Sequence, residues 1–376
     1  MPIMTKKKIL ILSPDTYDPT LPNFKDRYEM LSMEYDLHII TQSDSKFDGY
    51  KMGEATLHVI PSHGDYGIKA NVRYVAQIVA LGKRVGREHG IDIIISYDPL
   101  TLGLAGRLLK VILHAKLIIE VNGHLLIDGF LDKKGFKADL RKKLFSYFIR
   151  FCLNGTDLVK FLNHVQKAEW QSQIEHKEVV MFHDFVPTHV FSDTGNHNGN
   201  YLLFVGHPYY RKGVDILIKA FKQIAHFFPE TKLFIVGHAW SEKKLYEAMA
   251  VGCNTIQFMK PLHYDGIMEL FKNCTFCVLP SRSEAMGRVV LESMASAKPV
   301  IGSNVGGIPE YIQDGVTGLL FENENIDDLA AKMKLLLEDN ELRERLGRHA
   351  YKKSHSDYSS EAYLGHFRSM IKMVSP

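Results

Sequence analysis

Cysteine is scarce in this chain, with four residues in 376. That is too few for the disulfide framework of a secreted scaffold. No window reaches the roughly 18 uncharged apolar residues that a membrane-spanning helix needs. The stretch Lys6-Lys7-Lys8 followed by Ile9-Leu10-Ile11-Leu12 has the flavour of a signal peptide, but its apolar run stops at Ser13-Pro14-Asp15. A signal core needs about 7–15 apolar residues, so a first buried strand is expected instead, in a cytoplasmic protein with free thiols. Charge of one sign is also lacking. The 46 Lys and Arg nearly balance the 43 Asp and Glu, and a net +3 does not favour nucleic-acid binding. Glycine (28) and proline (14) are scattered rather than clustered, which excludes collagen-like and proline-rich disordered chains. Cys274 and Cys277 form a C-x-x-C pair, but no second Cys/His pair lies at zinc spacing. They read as part of a buried strand, and no metal is expected.

What remains is ordinary globular composition, 45% apolar and 24% charged. At roughly 100–200 residues per domain, two domains are expected. Short β-branched apolar runs at 9–12, 37–40, 57–60, 91–95, 116–121, 158–162 and 179–182 alternate with helical patterns such as 72–88 and 102–113. Residues 184–200 have linker composition, rich in Gly, Asn, Ser and Asp. The rhythm then restarts. Strands are predicted at 201–205, 232–236, 255–258, 276–279 and 299–301, and helices at 214–227, 242–250, 264–271 and 288–297. A polar break at 352–357 precedes a last helix over 358–373. Strand–helix alternation implies α/β architecture, with parallel sheets covered on both faces. The division predicted is 1–185, a linker at 186–200, 201–355, and a C-terminal helix in 356–376 that returns to the first domain.

The densest run of candidate chemistry is Pro280-Ser281-Arg282-Ser283-Glu284-Ala285-Met286-Gly287-Arg288, between a strand and a helix that carries Glu292. The first amides of such a helix lack intrahelical partners and carry partial positive charge, which suits a phosphate. Glu284 and Glu292 can flank it as acceptors for hydroxyl groups. Alternatively, Glu292 is an ordinary solvated or ion-paired helical glutamate.

Glu284 through Glu292 is the E-x(7)-E spacing of retaining glycosyltransferases of family 4, which have the GT-B fold: two doubly wound, Rossmann-like domains facing a central cleft. The segments 293–301, 305–310 and 314–321 resemble the elements that follow in that family, and Val205-Gly206 with Lys212-Gly213-Val214-Asp215 resembles its first donor-domain loop. The resemblance spans about 201–337 by motif, and the N-terminal half by architecture only. It implies that Glu292 binds the nucleotide ribose and Glu284 the donor sugar. Lys212 and the amides near Met286, Gly287 and Arg288 would bind the diphosphate. Where many members have Arg after the glycine at position 206, this chain has His207; Arg211 either replaces that cation or faces solvent. Gly237-His238-Ala239 and Met259 fall where the family meets the nucleotide. No Asp-x-Asp is placed after a strand, which fits a metal-independent reaction without a cofactor.

The resemblance further implies a nucleotide diphosphate sugar as donor, a UDP-sugar foremost. The acceptor would be a saccharide, a lipid-linked sugar or a small molecule. Signals on the acceptor side are weaker. The loop Ser13-Pro14-Asp15-Thr16-Tyr17 lacks the family's Gly-Gly, while Asn122 and His124 follow a strand end near the family's frequent histidine. His124 is either catalytic or structural. In 133–151, Phe136, Leu140, Leu144, Tyr147, Phe148 and Phe151 make a helical stripe amid many Lys and Arg. Such a stripe is expected to pack on the protein's own sheet; the alternative is peripheral contact with the cytoplasmic face of a membrane. Two other functions compete with sugar transfer. One is a non-catalytic nucleotide-sugar binder of the same fold. The other is a dinucleotide-dependent oxidoreductase, which lacks its G-x-G-x-x-G after the first strand.

Overall fold

The computed structural model describes residues 6–14, 18–62, 67–128, 135–174, 177–193, 200–237 and 243–375. The loop tip Asp15-Thr16-Tyr17, residues 194–199 of the expected linker, His238 and Ala239, and Lys133 and Lys134 lie outside the described residues.

Two compact units divide the chain. One holds Met1–Phe185 with Tyr363–Pro376, and the other Val186–Ala362. Among the described residues, the N-terminal unit is built on eight strands: β1 (Lys8–Leu12), β2 (Asp36–Ser43), β3 (Lys51–Met52), β4 (Ala55–Pro61), β5 (Ile93–Ser96), β6 (Lys116–Val121), β7 (Leu158–Phe161) and β8 (Glu178–Met181). Their order is β3-β4-β2-β1-β5-β6-β7-β8, and all pairs are parallel except β3 with β4. The described residues of the C-terminal unit form six: β9 (Tyr201–Val205), β10 (Lys232–Val236), β11 (Ile256–Met259), β12 (Phe276–Leu279), β13 (Val300–Ser303) and β14 (Leu319–Phe321). They run in the order β11-β10-β9-β12-β13-β14, all parallel. The near-continuous apolar runs follow from this, because a parallel strand buries both faces under crossover helices. Ile9–Leu12 of β1 and Phe276–Leu279 of β12 are buried throughout. Cys277 lies within β12, and its Sγ is 3.8 Å from that of Cys274; both are buried and unoxidised. Among the described residues no cluster of metal ligands forms.

Several features depart from the sequence expectations. Short or polar elements escaped periodicity, notably helices Pro22–Ser32 and His164–Gln171 and strand β3. The polar run at 352–357 is no break, since helix Asn340–Asp357 continues through it and the next helix begins at Ser360. Its Lys side chains stay partly in solvent while Ser354 is buried, so polarity there marks a helix face rather than a loop. Phe185, Val186, Thr188 and Phe191, within the stretch of linker composition, are buried. The last helix, Ser360–Val374, sets Tyr363, Phe367, Met370 and Ile371 into the core of the N-terminal unit, with Phe367 edge-on to Tyr35 at 5.5 Å. Arg368 adds an ion pair with Glu34.

The stripe on helix Phe136–Asn154 is also placed differently. Ile149, Cys152 and Leu153 are the positions that enter the core, whereas Phe136, Leu140, Leu144, Tyr147, Phe148 and Phe151 are exposed. The helix carries apolar side chains on two faces, and the unit covers one of them.

Charge is buried at the carboxyl ends of the N-terminal strands. Glu120 on β6 and Lys160 on β7 are inaccessible and lie 3.2 Å apart. Arg27 approaches Glu120 at 3.9 Å and bonds Asp184 at 2.9 Å. Removing one partner of such a pair leaves the other uncompensated in a medium that solvates it poorly. Lys160→Met should therefore destabilise the protein by about 3–5 kcal/mol. Adding Glu120→Gln should recover part of that loss in urea denaturation. A single variant as stable as wild type would contradict the pairing.

Candidate active site

In a doubly wound sheet, ligands bind beyond the carboxyl ends of the strands, where the order reverses. In the C-terminal unit that point lies between β9 and β12, neighbours in the sheet whose crossovers leave in opposite directions. The loops after these two strands are the ones that carry the candidate residues. The first, 206–213, opens helix Val214–Ile224, and the second, 280–287, opens helix Arg288–Ala295.

The two loops are locked together by backbone. Gly213 adopts φ 70°, and a Cβ there would lie 1.9 Å from the Pro280 carbonyl oxygen. Only glycine permits that approach. Gly287 caps its helix at φ 71°, a left-handed conformation that glycine adopts without a Cβ penalty. The Arg282 amide donates to the Arg211 carbonyl at 2.8 Å. Its guanidinium forks onto Asp215, with both bonds at 2.8 Å, and also reaches Glu324 at 2.7 Å and the Tyr210 carbonyl at 2.7 Å. Burial alone would raise the Asp215 carboxyl, but the Arg282 fork outweighs it and holds the group below the usual carboxylate range. Arg282 and Asp215 had no role in the sequence reading. Their signal was their position inside the two motif loops, but nothing in spacing pairs an arginine with an aspartate 67 residues away.

Inside this clamp, Lys212 Nζ donates to the Glu284 carboxylate. Both residues are nearly sealed, at 9% and 8% exposure. Burial pushes the Glu284 carboxyl up. Lys212, Arg211 and the Gly287 amide together overcome that and hold it below its ordinary value. Ser281 Oγ lies 3.4 Å from the same carboxylate. The Arg211 guanidinium reaches the Ser283 carbonyl at 3.4 Å and the His207 carbonyl at 3.5 Å. It therefore turns across the two loops, while His207 itself is exposed. Gly206 borders the Lys212 stem, and the Gly237 carbonyl accepts from Tyr209 at 3.3 Å. Met259 ends β11, in register with Val236 of β10, at the same edge of the sheet. Met286 is buried beside Gly287, and Arg288 is half-buried at the first turn of its helix.

Glu292 stands apart from the ion-paired group. It is 5% exposed on helix Arg288–Ala295, so it is no solvated helical glutamate. Its carboxylate has no hydrogen-bond or ion-pair partner among the described residues. Burial raises its pKa to about 6, against the opposing influence of Arg288. A largely buried carboxylate without protein donors is left to the little water that reaches it, an acceptor that a hydroxylated ligand would satisfy.

Asn122 and His124 lie in the N-terminal unit. The Asn122 amide donates to the Tyr97 carbonyl at 3.0 Å and to Glu120 at 3.2 Å. His124 is buried, with Nδ1 3.9 Å from Glu169 and neither ring nitrogen hydrogen-bonded. Asn122 thus meets the buried charge group through Glu120, while His124 approaches Glu169 on helix His164–Gln171. Neither Glu120 nor Lys160 was singled out from sequence, though a charge in the runs Leu-Ile-Ile-Glu-Val and Leu-Val-Lys-Phe interrupts otherwise apolar strands.

The clamp predicts that Gly213→Ala is destabilising by at least the roughly 1–2 kcal/mol of a left-handed backbone, with the clash against Pro280 added. The midpoint of urea denaturation should fall accordingly. An unchanged midpoint would contradict the close approach.

Residues 187–353 match the family model described as glycosyl transferases group 1. An uncharacterized glycosyltransferase of Methanocaldococcus jannaschii is 29% identical over 342 residues, covering 90% of this chain and 91% of the relative. Among solved structures, the sucrose-phosphate synthase of Thermosynechococcus elongatus superposes with a TM-score of 0.83 at 16% identity, covering 98% of this chain and 100% of that one. HepE of Anabaena, solved with UDP-glucose, gives 0.74 at 16% identity, covering 97% and 99%. The family match is carried by the unit that holds Lys212, Glu284 and Glu292, and the superpositions show the GT-B fold over the length of the chain.

Proposed function

We propose that the protein transfers a hexose-type sugar from a nucleotide diphosphate sugar, foremost a UDP-sugar, to an acceptor hydroxyl with retention at the anomeric carbon. The observation that carries this reading is the juxtaposition of a buried lysine–carboxylate pair with a helix N-terminus and a buried, donorless glutamate. A nucleotide diphosphate sugar has the complementary groups: hydroxyls at both ends and two phosphates between. HepE, which shares the fold, is solved with UDP-glucose. That lends weight to uridine as the base here.

In this reading the diphosphate displaces Glu284 from part of the Lys212 ammonium, and the freed carboxylate accepts from sugar hydroxyls. Lys212, Arg211 and the amides at Met286, Gly287 and Arg288 stabilise the negative charge that grows on the β-phosphate as the C1–O bond breaks. The charge is carried by these groups, without a metal or cofactor. The acceptor oxygen bonds to C1 on the face the phosphate leaves, and its proton passes to a phosphate oxygen. The protein supplies position and electrostatics rather than a nucleophile. Asn122 and His124 serve the acceptor side, which takes a saccharide, a lipid-linked sugar or a small molecule. In this reading the reaction takes place on the cytoplasmic side.

Lys212→Met removes the main cation from the leaving group and should lower nucleotide release from UDP-glucose by about 10²–10³-fold. Wild-type turnover in this variant would refute the assignment, and so would turnover unchanged in Glu292→Gln. The Glu292 pKa near 6 adds a pH signature. Ribose hydroxyls donate to the ionised form, which predominates above pH 6. Protonation at pH 5 leaves about one molecule in ten competent, so UDP-glucose affinity should weaken about tenfold between pH 7.5 and 5. Glu284, held low, stays ionised across that window. Calorimetric titration should show the step in wild type and its absence in Glu292→Gln; an identical step in both would remove Glu292 from the ribose site.

A further inference from the structure

Among the described residues, no element covers the outer face of helix Phe136–Asn154. Phe136, Leu144 and Tyr147 are 82%, 62% and 64% exposed, a density of apolar surface uncommon on a free soluble face. At about 100° per residue, these three with Leu140, Phe148 and Phe151 fall within an arc of about 120°. The same wheel sets Lys143 and Arg150 along one edge of the arc and Arg141 along the other, with Lys137 just inside that second edge. The helix has five basic residues and a single acid, Asp139. None of the five forms an ion pair among the described residues. Two neighbouring helices extend the surface. Ile68 and Val72 on Ile68–His89, and Val111 on Thr101–Leu113, are exposed as well. Between the three helices lies a groove of about 770 Å³, walled by Ile68, Val72, Leu104, Leu144 and Phe148, with Arg141 on its wall.

We propose that this face docks on an anionic phospholipid bilayer. An apolar arc bordered on both sides by cations is the pattern of a helix lying in the membrane interface, with aromatic and aliphatic side chains among the acyl chains and ammonium and guanidinium groups at the phosphates. The groove gives acyl segments a place to enter between the helices. Charge favours this occupant over a second copy of the chain, which would bring two faces of net positive charge together. No helix among the described residues is long and apolar enough to cross a membrane, so the contact is on the surface. The docking is independent of sugar transfer and is read without any nucleotide.

The test is co-sedimentation of the full chain with phosphatidylcholine vesicles, with and without phosphatidylglycerol. Binding should require phosphatidylglycerol and weaken with salt. Each basic residue near such a surface contributes about fivefold, so Arg141→Ala with Lys143→Ala should lower partitioning about 30-fold. Leu144→Ser with Tyr147→Ser should lower it too, while the thermal midpoint stays at the wild-type value because these side chains are exposed. Failure of the wild-type chain to sediment with the anionic vesicles overturns the proposal. So does binding at the wild-type level by both double variants. Concentration-dependent dimerisation that Leu144→Ser with Tyr147→Ser abolishes, without vesicle binding, would assign the face to a second copy and overturn it as well.

Discussion

The buried pair of Lys212 and Glu284 organises the C-terminal unit's site, because neither charge is tolerable there alone. Each has lost its water, and each is compensated by the other, with Arg211 and the Gly287 amide assisting on the carboxylate side. Holding them requires two loops from strands that are neighbours in the sheet and distant in sequence. Gly213 lets the backbones touch, and the Arg282–Asp215 fork ties them at a second point. An anionic ligand arriving here meets a cation already desolvated and oriented. That is where electrostatic stabilisation is strongest and needs least rearrangement. Glu292 adds the complementary demand, a buried acceptor that lacks donors.

The N-terminal unit uses burial differently. Glu120, Lys160, Arg27 and Asp184 balance charge within the protein, at the strand ends where Asn122 and His124 also sit. Its outer helices leave an apolar, cationic face uncovered. One unit thus carries a buried ionic site, and the other an apolar surface bordered by cations.

Much of this was legible in the sequence. Parallel strands buried on both faces leave continuous apolar runs, so β1, β5, β6, β9, β10 and β12 could be placed to within a few residues. The motif around Glu284 was legible because a strand end, a polar loop, a glycine and a helix follow one another locally. Pairing across distance was not. The Arg282–Asp215 fork and the Glu120–Lys160 pair join residues whose separation carries no periodic signal. Polarity misled at 352–357, where one face of a helix is solvated. Apolarity misled over 136–151, where a stripe of helical period implies burial only if an element is available to cover it.

The most direct test of the central claim is a crystal structure of the protein with UDP bound. The account predicts the diphosphate on Lys212 and the amides at 286–288, with the ribose hydroxyls on Glu292. A nucleotide seated elsewhere, with the Lys212–Glu284 pair undisturbed and Glu292 without a ligand, would contradict it.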